Sequence, residues 1–367
     1  MQKINKVVIK IGTSILTGND GKINPKKIDD IANQIQQIRR KDVETVLVTS
    51  GAIASGMEML KITKKPKEIG KRQALASVGQ VMLMSMYSEA FRKRGLHIGQ
   101  ILITHEDIKD KTRCINLMNT LNRLISMEVI PVINENDALS FTEIQVGDND
   151  NLSAMIAQII SADLLLLLSD VEGLYEKNPK KYPNSKLLKT VKKIDEKIWS
   201  IAEDTQSEKS IGGMLSKIEA AKKAGLYGIH TRIVNGHIKN VIVRVIEGEE
   251  IGTLFLPERK LSRNKWWTAF AYRPKGKIWI DKGAEKAIRE NGKSLLPSGI
   301  IKVEGQFTRG DCVEILNEAG MIISKGITNY HSHEIDLIKG LKTVEIEKKL
   351  GYKYTEEVIH RDNMVVL

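Results

Sequence analysis

The fold is decided by residues 129–157, which read VIPVI NENDALSFTEIQVGDNDN LSAMIA. The first segment is an apolar run typical of a buried strand, and the last begins a helical pattern. The segment between them, 134–151, is dense in carboxylates and amides. Proteins of the α/β class place binding groups where a buried strand gives way to a helix. The stretch therefore predicts a strand, a polar binding segment and a helix, in that order.

The polar segment has two simpler interpretations, and neither accounts for it. Asp148, Asn149 and Asp150 could cap the helix, but one residue is enough for a cap. A calcium loop that began at Asp148 would need glycine at its sixth position, where the chain has Ser153. We therefore interpret the segment as a site for a polar small molecule that carries an amine.

The composition leaves room for about two domains, since the chain has 367 residues, of which 41% are hydrophobic. The formal net charge of +12 indicates either a nucleic-acid or anionic partner, or a lysine-rich surface. We favour the surface, with a contribution from phosphate chemistry, because the lysines are scattered along predicted helix faces.

The sequence pattern does not predict a membrane or secretory protein. The longest purely apolar run, 164–168, is too short to cross a bilayer, and Lys10 interrupts the first apolar run. Cys114 and Cys312 lie far apart and have no metal-ligand spacing. We expect a cytoplasmic protein with reduced thiols and no membrane contact.

Residues 1–256 alternate short apolar runs with amphipathic stretches. This alternation favours an α/β fold with an open, mostly parallel sheet sandwiched by helices. Ligands of such sheets lie at the carboxyl ends of the strands. The predicted strands are 7–11, 45–48, 98–103, 129–133, 164–168 and 229–234, and the predicted helices are 28–39, 71–94, 113–127, 152–160 and 214–224.

The pattern changes after residue 256. Residues 257–274 are basic and lack an apolar period, so they predict a linker. Residues 275–355 predict a small β-rich domain, and residues 356–367 predict a C-terminal tail. The predicted strands of the small domain are 277–280, 300–303, 312–316 and 322–326.

A lysine interrupts the first predicted strand. Lys10 is followed by Gly12, Thr13 and Ser14. A buried lysine is costly unless an anion meets it, and glycine lets a phosphate approach the backbone closely. The alternative is an edge-strand lysine whose ammonium group reaches water.

Three further motifs lie between a strand and a helix. Thr49-Ser50-Gly51-Ala52 follows a predicted strand, Ser169-Asp170 ends the run 164–168, and Gly212-Gly213 precedes a helix that carries Lys217. Helix starts with small residues bind anions through free N–H groups, so carboxylate, phosphate or ribose binding is expected there. The alternatives, in the same order, are an ordinary turn, a residue that caps a turn, and a glycine loop with a surface lysine.

Together and in this order, the motifs resemble the amino acid kinase family. The most specific pieces are PVINEND at 131–137 and VGDNDNLSA at 146–154, supported by KIGT at 10–13, TSGAI at 49–53, VGQ at 78–80 and GGM at 212–214. The resemblance covers nearly the whole chain and is greatest to the members that phosphorylate the γ-carboxylate of L-glutamate. The small C-terminal domain resembles the PUA domain.

The resemblance implies an activity and the residues that carry it. ATP would phosphorylate L-glutamate to γ-glutamyl phosphate, the first step of proline biosynthesis, with proline as a feedback inhibitor. Lys10 and Lys217 would flank the transferred phosphoryl group, and Asp150 would hold both lysines. The implied glutamate-binding residues are Ser50, Gly51, Ala52, Asn134, Asp137, Asp148 and Asn149. The implied ATP-binding residues are Lys10, Gly12, Ser169, Asp170, Ile211, Gly212, Gly213, Met214, Leu215, Ser216 and Lys217. Mg²⁺ would be carried on the nucleotide phosphates, with no protein metal ligand.

The sequence departs from the family pattern in one loop. The family loop usually begins Gly-Thr-Gly-Gly-Met, but Ser210 and Ile211 stand in place of the first Gly and the Thr. Ser216 also stands where threonine is usual before the lysine. The missing threonine hydroxyl removes one possible contact with an ATP phosphate.

The resemblance also implies partners. We expect a homo-oligomer, either dimer or tetramer, and transient contact with the γ-glutamyl phosphate reductase, because acyl phosphates are labile in water. RNA is not an expected ligand, since we interpret the basic and aromatic cluster at Trp266-Trp267 as interdomain packing. A different acceptor, such as carbamate, a nucleotide or N-acetylated glutamate, is the alternative within the family. The carboxylates of 134–151 argue against the last two because they suit a free ammonium group.

Overall fold

The chain forms two compact units in this computed structural model, which describes residues 3–18, 20–139, 148–179, 181–204, 213–257 and 274–367. One unit comprises Met1–Asp107 and Ile115–Lys260, and the other comprises Ile108–Cys114 and Leu261–Leu367. Most of the predicted linker, 257–274, lies outside the described residues. No helix within the described ranges is long and apolar enough to cross a membrane.

The first unit is built on an eight-stranded sheet with the strand order β3-β4-β2-β1-β5-β7-β8-β6. Its strands are β1 (Lys6–Ile11), β2 (Glu44–Val48), β3 (Ile98–Ile103), β4 (Ile130–Glu135), β5 (Leu164–Ser169), β6 (Thr190–Val191), β7 (His230–Asn235) and β8 (Thr253–Phe255). Strands β3, β4, β2, β1, β5 and β7 are parallel to one another, and β8 is antiparallel to β7. The predicted open, mostly parallel sheet is confirmed.

Helices connect and cover these strands. They are α1 (Thr13–Leu16), α2 (Pro25–Arg39), α3 (Ala52–Met59), α4 (Ile69–Arg92), α5 (His105–Lys109), α6 (Lys111–Ser126), α7 (Asp148–Ile159), α8 (Glu196–Asp204), α9 (Met214–Gly225) and α10 (Val241–Ile246). Pro25 is the first residue of α2, a position where a backbone N–H would have no acceptor within the helix. The Asn24 side chain caps that helix.

β1 is the central strand that positions the first lysine. Its residues Val7, Val8 and Ile9 are fully buried, because β1 lies between β2 and β5, whose residues 46–48 and 164–168 are apolar and buried. Lys10 lies opposite Val48 of β2 and Leu167 of β5, near the carboxyl ends of all three strands. The side chain of Lys10 is therefore held at the edge of the sheet where ligands of this fold class bind.

Two glycines bring α3 and α4 into direct backbone contact. A Cβ atom on Gly79 would lie 1.9 Å from the carbonyl oxygen of Ala52, and one on Gly56 would lie 2.0 Å from that of Leu75. No side chain other than hydrogen fits at either position. The close approach fixes α4 against the start of α3, directly after the predicted Ser50-Gly51 motif.

The second unit has a five-stranded sheet with the order β10-β9-β11-β12-β13. Its elements are β9 (Gly276–Ile280), α11 (Lys282–Arg289), β10 (Ile300–Glu304), β11 (Cys312–Leu316), β12 (Ile322–Ile327), α12 (Ser332–Ile338), α13 (Ile346–Leu350) and β13 (Met364–Val366). Ile278, Ile315 and Ile335 are fully buried in its own hydrophobic core. β13 pairs with β12, so the segment predicted as a tail, 356–367, contributes the edge strand of this sheet.

Candidate active site

Asp150 lies between two lysines at the carboxyl edge of the first sheet. Its Oδ1 is 2.6 Å from Nζ of Lys10, and its Oδ2 is 3.2 Å from Nζ of Lys217. The hydroxyl of Ser216 donates a hydrogen bond of 2.8 Å to the same Oδ2. All three charged side chains are buried. The structure thus brings together the three residues predicted to be catalytic, from β1, α7 and α9.

Opposing electrostatic effects set the charge state of this cluster. Burial raises the pKa of Asp150, but the charges of Lys10 and Lys217 outweigh that effect and hold the pKa below its usual value. Burial lowers the pKa of Lys217, and Asp150 offsets this only in part because the charge of Lys10 lowers it again. Two ammonium groups and one carboxylate leave a net positive charge in a buried place, which suits the binding of phosphate oxygens.

Gly12 keeps the backbone beside Lys10 open. A Cβ at this position would lie 3.3 Å from the carbonyl oxygen of Leu168 and 3.7 Å from Nζ of Lys10. The N–H of Gly12 donates to that same carbonyl over 3.3 Å. The absence of a side chain therefore permits close approach to the lysine, while the N–H of Gly12 itself is already paired.

A second cluster of polar groups surrounds Asn149. The amide nitrogen of Asn149 donates to the carbonyl oxygen of Thr49 at 2.8 Å, to Oγ of Ser50 at 2.9 Å and to Oδ1 of Asn134 at 3.1 Å. The amide nitrogen of Asn134 donates in turn to Oε1 of Gln80 at 2.9 Å. Three of the predicted glutamate-binding residues therefore share one hydrogen-bond network, which also includes Gln80, a residue without a predicted role.

The turn after β2 has the geometry of a binding loop. Gly51 has a φ of +99°, a left-handed conformation that favours glycine, and it precedes Ala52, the first residue of α3. No side chain caps this helix start. The first N–H groups of α3 thus have no side-chain cap, and such groups suit the carboxylate or phosphate predicted at this turn.

Charges of both signs act on one another beside Asp137. Burial lowers the pKa of Lys65, the positive charge of Arg72 lowers it further, and the negative charge of Asp137 raises it. Sequence reasoning predicted a role for Asp137 but missed Lys65 and Arg72. The sequence feature nearest to Arg72 was the VGQ motif at 78–80, because Arg72 lies about two turns before Gln80 on α4.

Apart from Lys10 and Gly12, the predicted nucleotide-binding residues lie at the end of β5 and at the start of α9. Ser169 is buried, and its hydroxyl donates to Oδ1 of Asp170 over 3.2 Å. Gly213 precedes α9 in an extended conformation, and no side chain caps the N–H groups of Met214, Leu215 and Ser216. Ile211, Gly212 and the side chain of Asp148 lie outside the described residues.

The buried carboxylate at the centre of this site is already paired with cations of the protein. Within the described parts of the chain, no group of three or more His, Cys, Asp or Glu side chains could hold a metal ion. Both oxygens of Asp150 face lysine ammonium groups, so this carboxylate is occupied by cations of the protein. The positive cluster fits phosphate oxygens better than it fits a bare cation.

Family profiles and known proteins match this chain over nearly its whole length. The sequence profile of the amino acid kinase family matches residues 5–235, and that of the PUA domain matches residues 276–350. The glutamate 5-kinase of Caldanaerobacter subterraneus subsp. tengcongensis is 45% identical over 363 residues, which are 99% of this chain and 98% of that protein. The glutamate 5-kinase of Geobacter sulfurreducens is 43% identical over 368 residues, covering 100% of this chain and 99% of that protein.

Solved structures share the fold of the first unit. The carbamate kinase from Giardia lamblia bound to AMP-PNP aligns with a TM-score of 0.51 and 15% sequence identity, over 70% of this chain and 99% of that one. A similarity at this level concerns the fold alone.

A phosphoryl group in transfer needs positive charge in a fixed place, and two buried lysines lie together at the carboxyl edge of this parallel sheet. The fold and the site define a kinase that uses ATP as its phosphoryl donor. The chain belongs to the amino acid kinase family, and its second unit carries a PUA domain.

Proposed function

We propose that the chain transfers the γ-phosphoryl group of ATP to the γ-carboxylate of L-glutamate and forms γ-glutamyl phosphate. The observation that carries this proposal is the direct succession, in α7, of Asn149 on the amide network and Asp150 on the lysine pair. One residue thus faces a polar pocket while the next organises the phosphoryl site. The names of the most similar relatives, glutamate 5-kinases over nearly their whole length, support the same acceptor.

The chemistry requires positioning more than proton transfer. An oxygen of the glutamate γ-carboxylate attacks the γ-phosphorus of ATP, the bond to the bridging β–γ oxygen breaks, and ADP leaves. No general base is needed because the carboxylate is already ionised at neutral pH. Lys10 and Lys217 neutralise charge on the transferring group, and Asp150 holds both ammonium groups in place. Mg²⁺ on the nucleotide phosphates supplies further charge neutralisation.

The charges around the pocket favour a free amino acid as the acceptor. The carboxylate of Asp137 suits an ammonium group, and its negative charge also acts on Lys65, whose pKa is lowered by burial and by the charge of Arg72. Oδ1 of Asn149 has no hydrogen-bond partner within the described ranges and is available to an N–H donor. An N-acetylated acceptor lacks the ammonium charge, and carbamate lacks both the α-amino and the α-carboxylate groups.

A side-by-side assay of acceptors tests the proposal. ADP release is measured with MgATP and equal concentrations of L-glutamate, L-aspartate, N-acetyl-L-glutamate or carbamate, and hydroxylamine traps the acyl phosphate as a hydroxamate. We expect kcat/KM for glutamate to exceed that for every other acceptor by at least about 100-fold, because buried polar groups reject ligands that leave them unpaired. Equal or faster turnover of N-acetylglutamate or carbamate would overturn the assignment.

We further propose the finer properties that the family resemblance implies. Proline inhibits the enzyme at or beside the glutamate site, as an inhibitor that raises KM for glutamate. The enzyme acts in the cytoplasm as a dimer or tetramer and passes its labile product to the reductase that follows it. The predicted boundaries at 256 and 274 remain part of this proposal, whereas the one at 355 does not, because β13 belongs to the second sheet. Initial rates at several glutamate and proline concentrations test the inhibition, and a rate independent of proline would exclude it.

A further inference from the structure

A chain of side-chain amides connects α4 to the proposed glutamate pocket. It runs from Gln80 in α4 to Asn134 at the end of β4 and on to Asn149 in α7, with donor–acceptor distances of 2.9 and 3.1 Å. Gln80 is 8% exposed and Asn134 is 2% exposed, so water does not compete for these bonds. This series of side-chain amides ends at the carbonyl oxygen of Thr49 and the hydroxyl of Ser50.

The backbone carbonyl of Thr49 determines which way each side-chain amide in this series is turned. The carbonyl oxygen of Thr49 can only accept, so the atom of Asn149 that faces it must be the NH₂ group. That group also faces Asn134, which must therefore present its oxygen to Asn149 and its nitrogen to Gln80. Gln80 in turn must present its oxygen. Oδ1 of Asn149, the open acceptor, is thus oriented from two sides, by Thr49 and Ser50 on one and by Asn134, itself held by Gln80, on the other.

The helix that carries Gln80 also holds the neighbouring strand end. Tyr87 lies two turns further along α4, is fully buried, and its hydroxyl is 2.9 Å from Oγ1 of Thr49. Burial raises the pKa of Tyr87, so its hydroxyl remains protonated. One helix thus anchors β2 through Tyr87 and β4 through Gln80, and the contact at Gly79 fixes the distance of that helix from α3.

We propose that Gln80 is a positioning residue for acceptor recognition. It holds Asn134 in a single amide orientation, and through Asn134 it directs Oδ1 of Asn149 toward the ammonium group of the amino acid substrate. The proposal rests on the proposed glutamate acceptor for its substrate, but the relay itself is defined by the geometry of Gln80, Asn134 and Asn149. Gln80 does not act on ATP or on the transferred phosphoryl group.

The test compares Gln80→Met with the wild-type enzyme. Methionine keeps the volume but removes the acceptor, so the nitrogen of Asn134 loses its partner and Asn134 is no longer held in one amide orientation against Asn149. We expect KM for glutamate to rise about tenfold, the effect of one lost hydrogen bond in a buried network. KM for ATP and kcat should stay within about twofold, because only uniform binding of the acceptor is lost.

Two variants separate this role from a loss of stability. Gln80→Glu keeps an oxygen facing Asn134 and should restore KM for glutamate to within about threefold of wild type. Gln34→Met removes another buried amide, whose oxygen accepts from the N–H of Ile242 and whose nitrogen donates to Asp30. It should lower the unfolding midpoint in urea and leave both KM values unchanged. A rise in KM for ATP equal to that for glutamate in Gln80→Met would indicate a purely structural role.

A double-mutant cycle tests whether Gln80 acts through Asn149. In an Asn149→Ala background, Gln80→Met should raise KM for glutamate by less than about twofold, because the group that it orients is gone. An undiminished tenfold effect there would overturn the relay. If the wild-type enzyme does not turn over glutamate, the proposed function fails on that result alone. The same cycle is then measured with the acceptor that the assay identifies, and an unchanged KM in Gln80→Met refutes the relay independently.

Discussion

Lys10 and Lys217 share one buried carboxylate, so removing either lysine leaves a neutral pair where the enzyme had net positive charge. We predict that Lys217→Met lowers kcat by about 100- to 1,000-fold, the effect of losing one preorganised charge on the transferring group. The protein should stay folded, since Lys10 still pairs with Asp150. Coupled ADP-release kinetics and urea unfolding measure the two properties.

Lys222 provides the matched control on the same helix. It is exposed, and its ammonium group lies 5.6 Å from the centre of the Trp199 ring, away from Asp150. Lys222→Met should leave kcat within about twofold of wild type, the usual result for an exposed charge. Turnover near the wild-type value in Lys217→Met would remove that lysine from the catalytic role.

The charge state of Lys217 also predicts a pH dependence. Burial places its pKa below the ordinary value of 10.5, and Asp170 is one of the anions that raise it. We predict that kcat/KM for MgATP falls on the alkaline side below pH 10.5, as the ammonium group loses its proton before nucleotide binds. Asp170→Asn removes an anion, favours the neutral amine and should move this limb to lower pH. Asp170→Glu keeps the charge and should leave the limb in place, so an equal shift in both variants would contradict the electrostatic cause.

At the residue scale, sequence reasoning found the groups whose chemistry conflicts with their surroundings. Lys10 was identifiable because a lysine within an apolar strand needs an anion, and Lys217 because it follows a glycine pair at a helix start. Gln80, Lys65 and Arg72 have no such local conflict. Gln80 meets Asn134 only when α4 approaches the end of β4, and the mutual electrostatic influence of Lys65, Arg72 and Asp137 also arises from tertiary contact, which no local pattern records.

At the scale of elements, long apolar runs predicted the sheet well and short elements poorly. The central strands β1, β2 and β5 were predicted because each contains a run of at least three consecutive apolar residues, as strands buried on both faces do. β4 continues two residues beyond the predicted run, into Asn134 and Glu135, because backbone pairing with β3 extends through the polar site residues. The three-residue strand β8 was missed, since its antiparallel pairing with β7 depends on tertiary contact.

The packing of α4 on α3 leads to a prediction in which one substitution has opposite effects at two positions. Gly79→Ala places a methyl group 1.9 Å from the carbonyl oxygen of Ala52, so the helices must separate at the start of α3. We expect a loss of about 1–3 kcal/mol in the free energy of unfolding, together with reduced kcat, because the Ser50-Gly51 turn moves with α3. Urea unfolding and steady-state kinetics measure both.

Gly70→Ala on the same helix is the control for this prediction. The nearest atom to a Cβ at Gly70 is a carboxylate oxygen of Glu68 at 4.0 Å, so the methyl group meets no obstacle. Alanine there should stabilise the protein by about 0.5–1 kcal/mol through its higher helix propensity. Equal effects of the two substitutions would contradict the argument from close packing.

At the scale of the whole molecule, the two units have separate hydrophobic cores, one around β1 and β5 and the other around β9 and β11. The loss of the apolar period after residue 256 predicted this division from the sequence. The sequence did not indicate that 364–366 would return to the second sheet as β13, because a three-residue strand carries too little pattern.

Separate cores predict two thermal unfolding transitions. Leu166 and Ile315 are fully buried, each in the central part of its own sheet. Leu166→Ala and Ile315→Ala should each destabilise one unit by about 2–5 kcal/mol, the cost of a cavity in a core, and each should lower a different transition. Glutamate with a non-hydrolysable ATP analogue should stabilise only the unit whose transition Leu166→Ala lowers. Its free energy of unfolding should rise by about 2.7 kcal/mol at a ligand concentration 100 times Kd. Scanning calorimetry measures both transitions.

A single transition that responds to both substitutions and to ligand would show that the two cores unfold as one cooperative unit, and the division into two stability units would then be wrong.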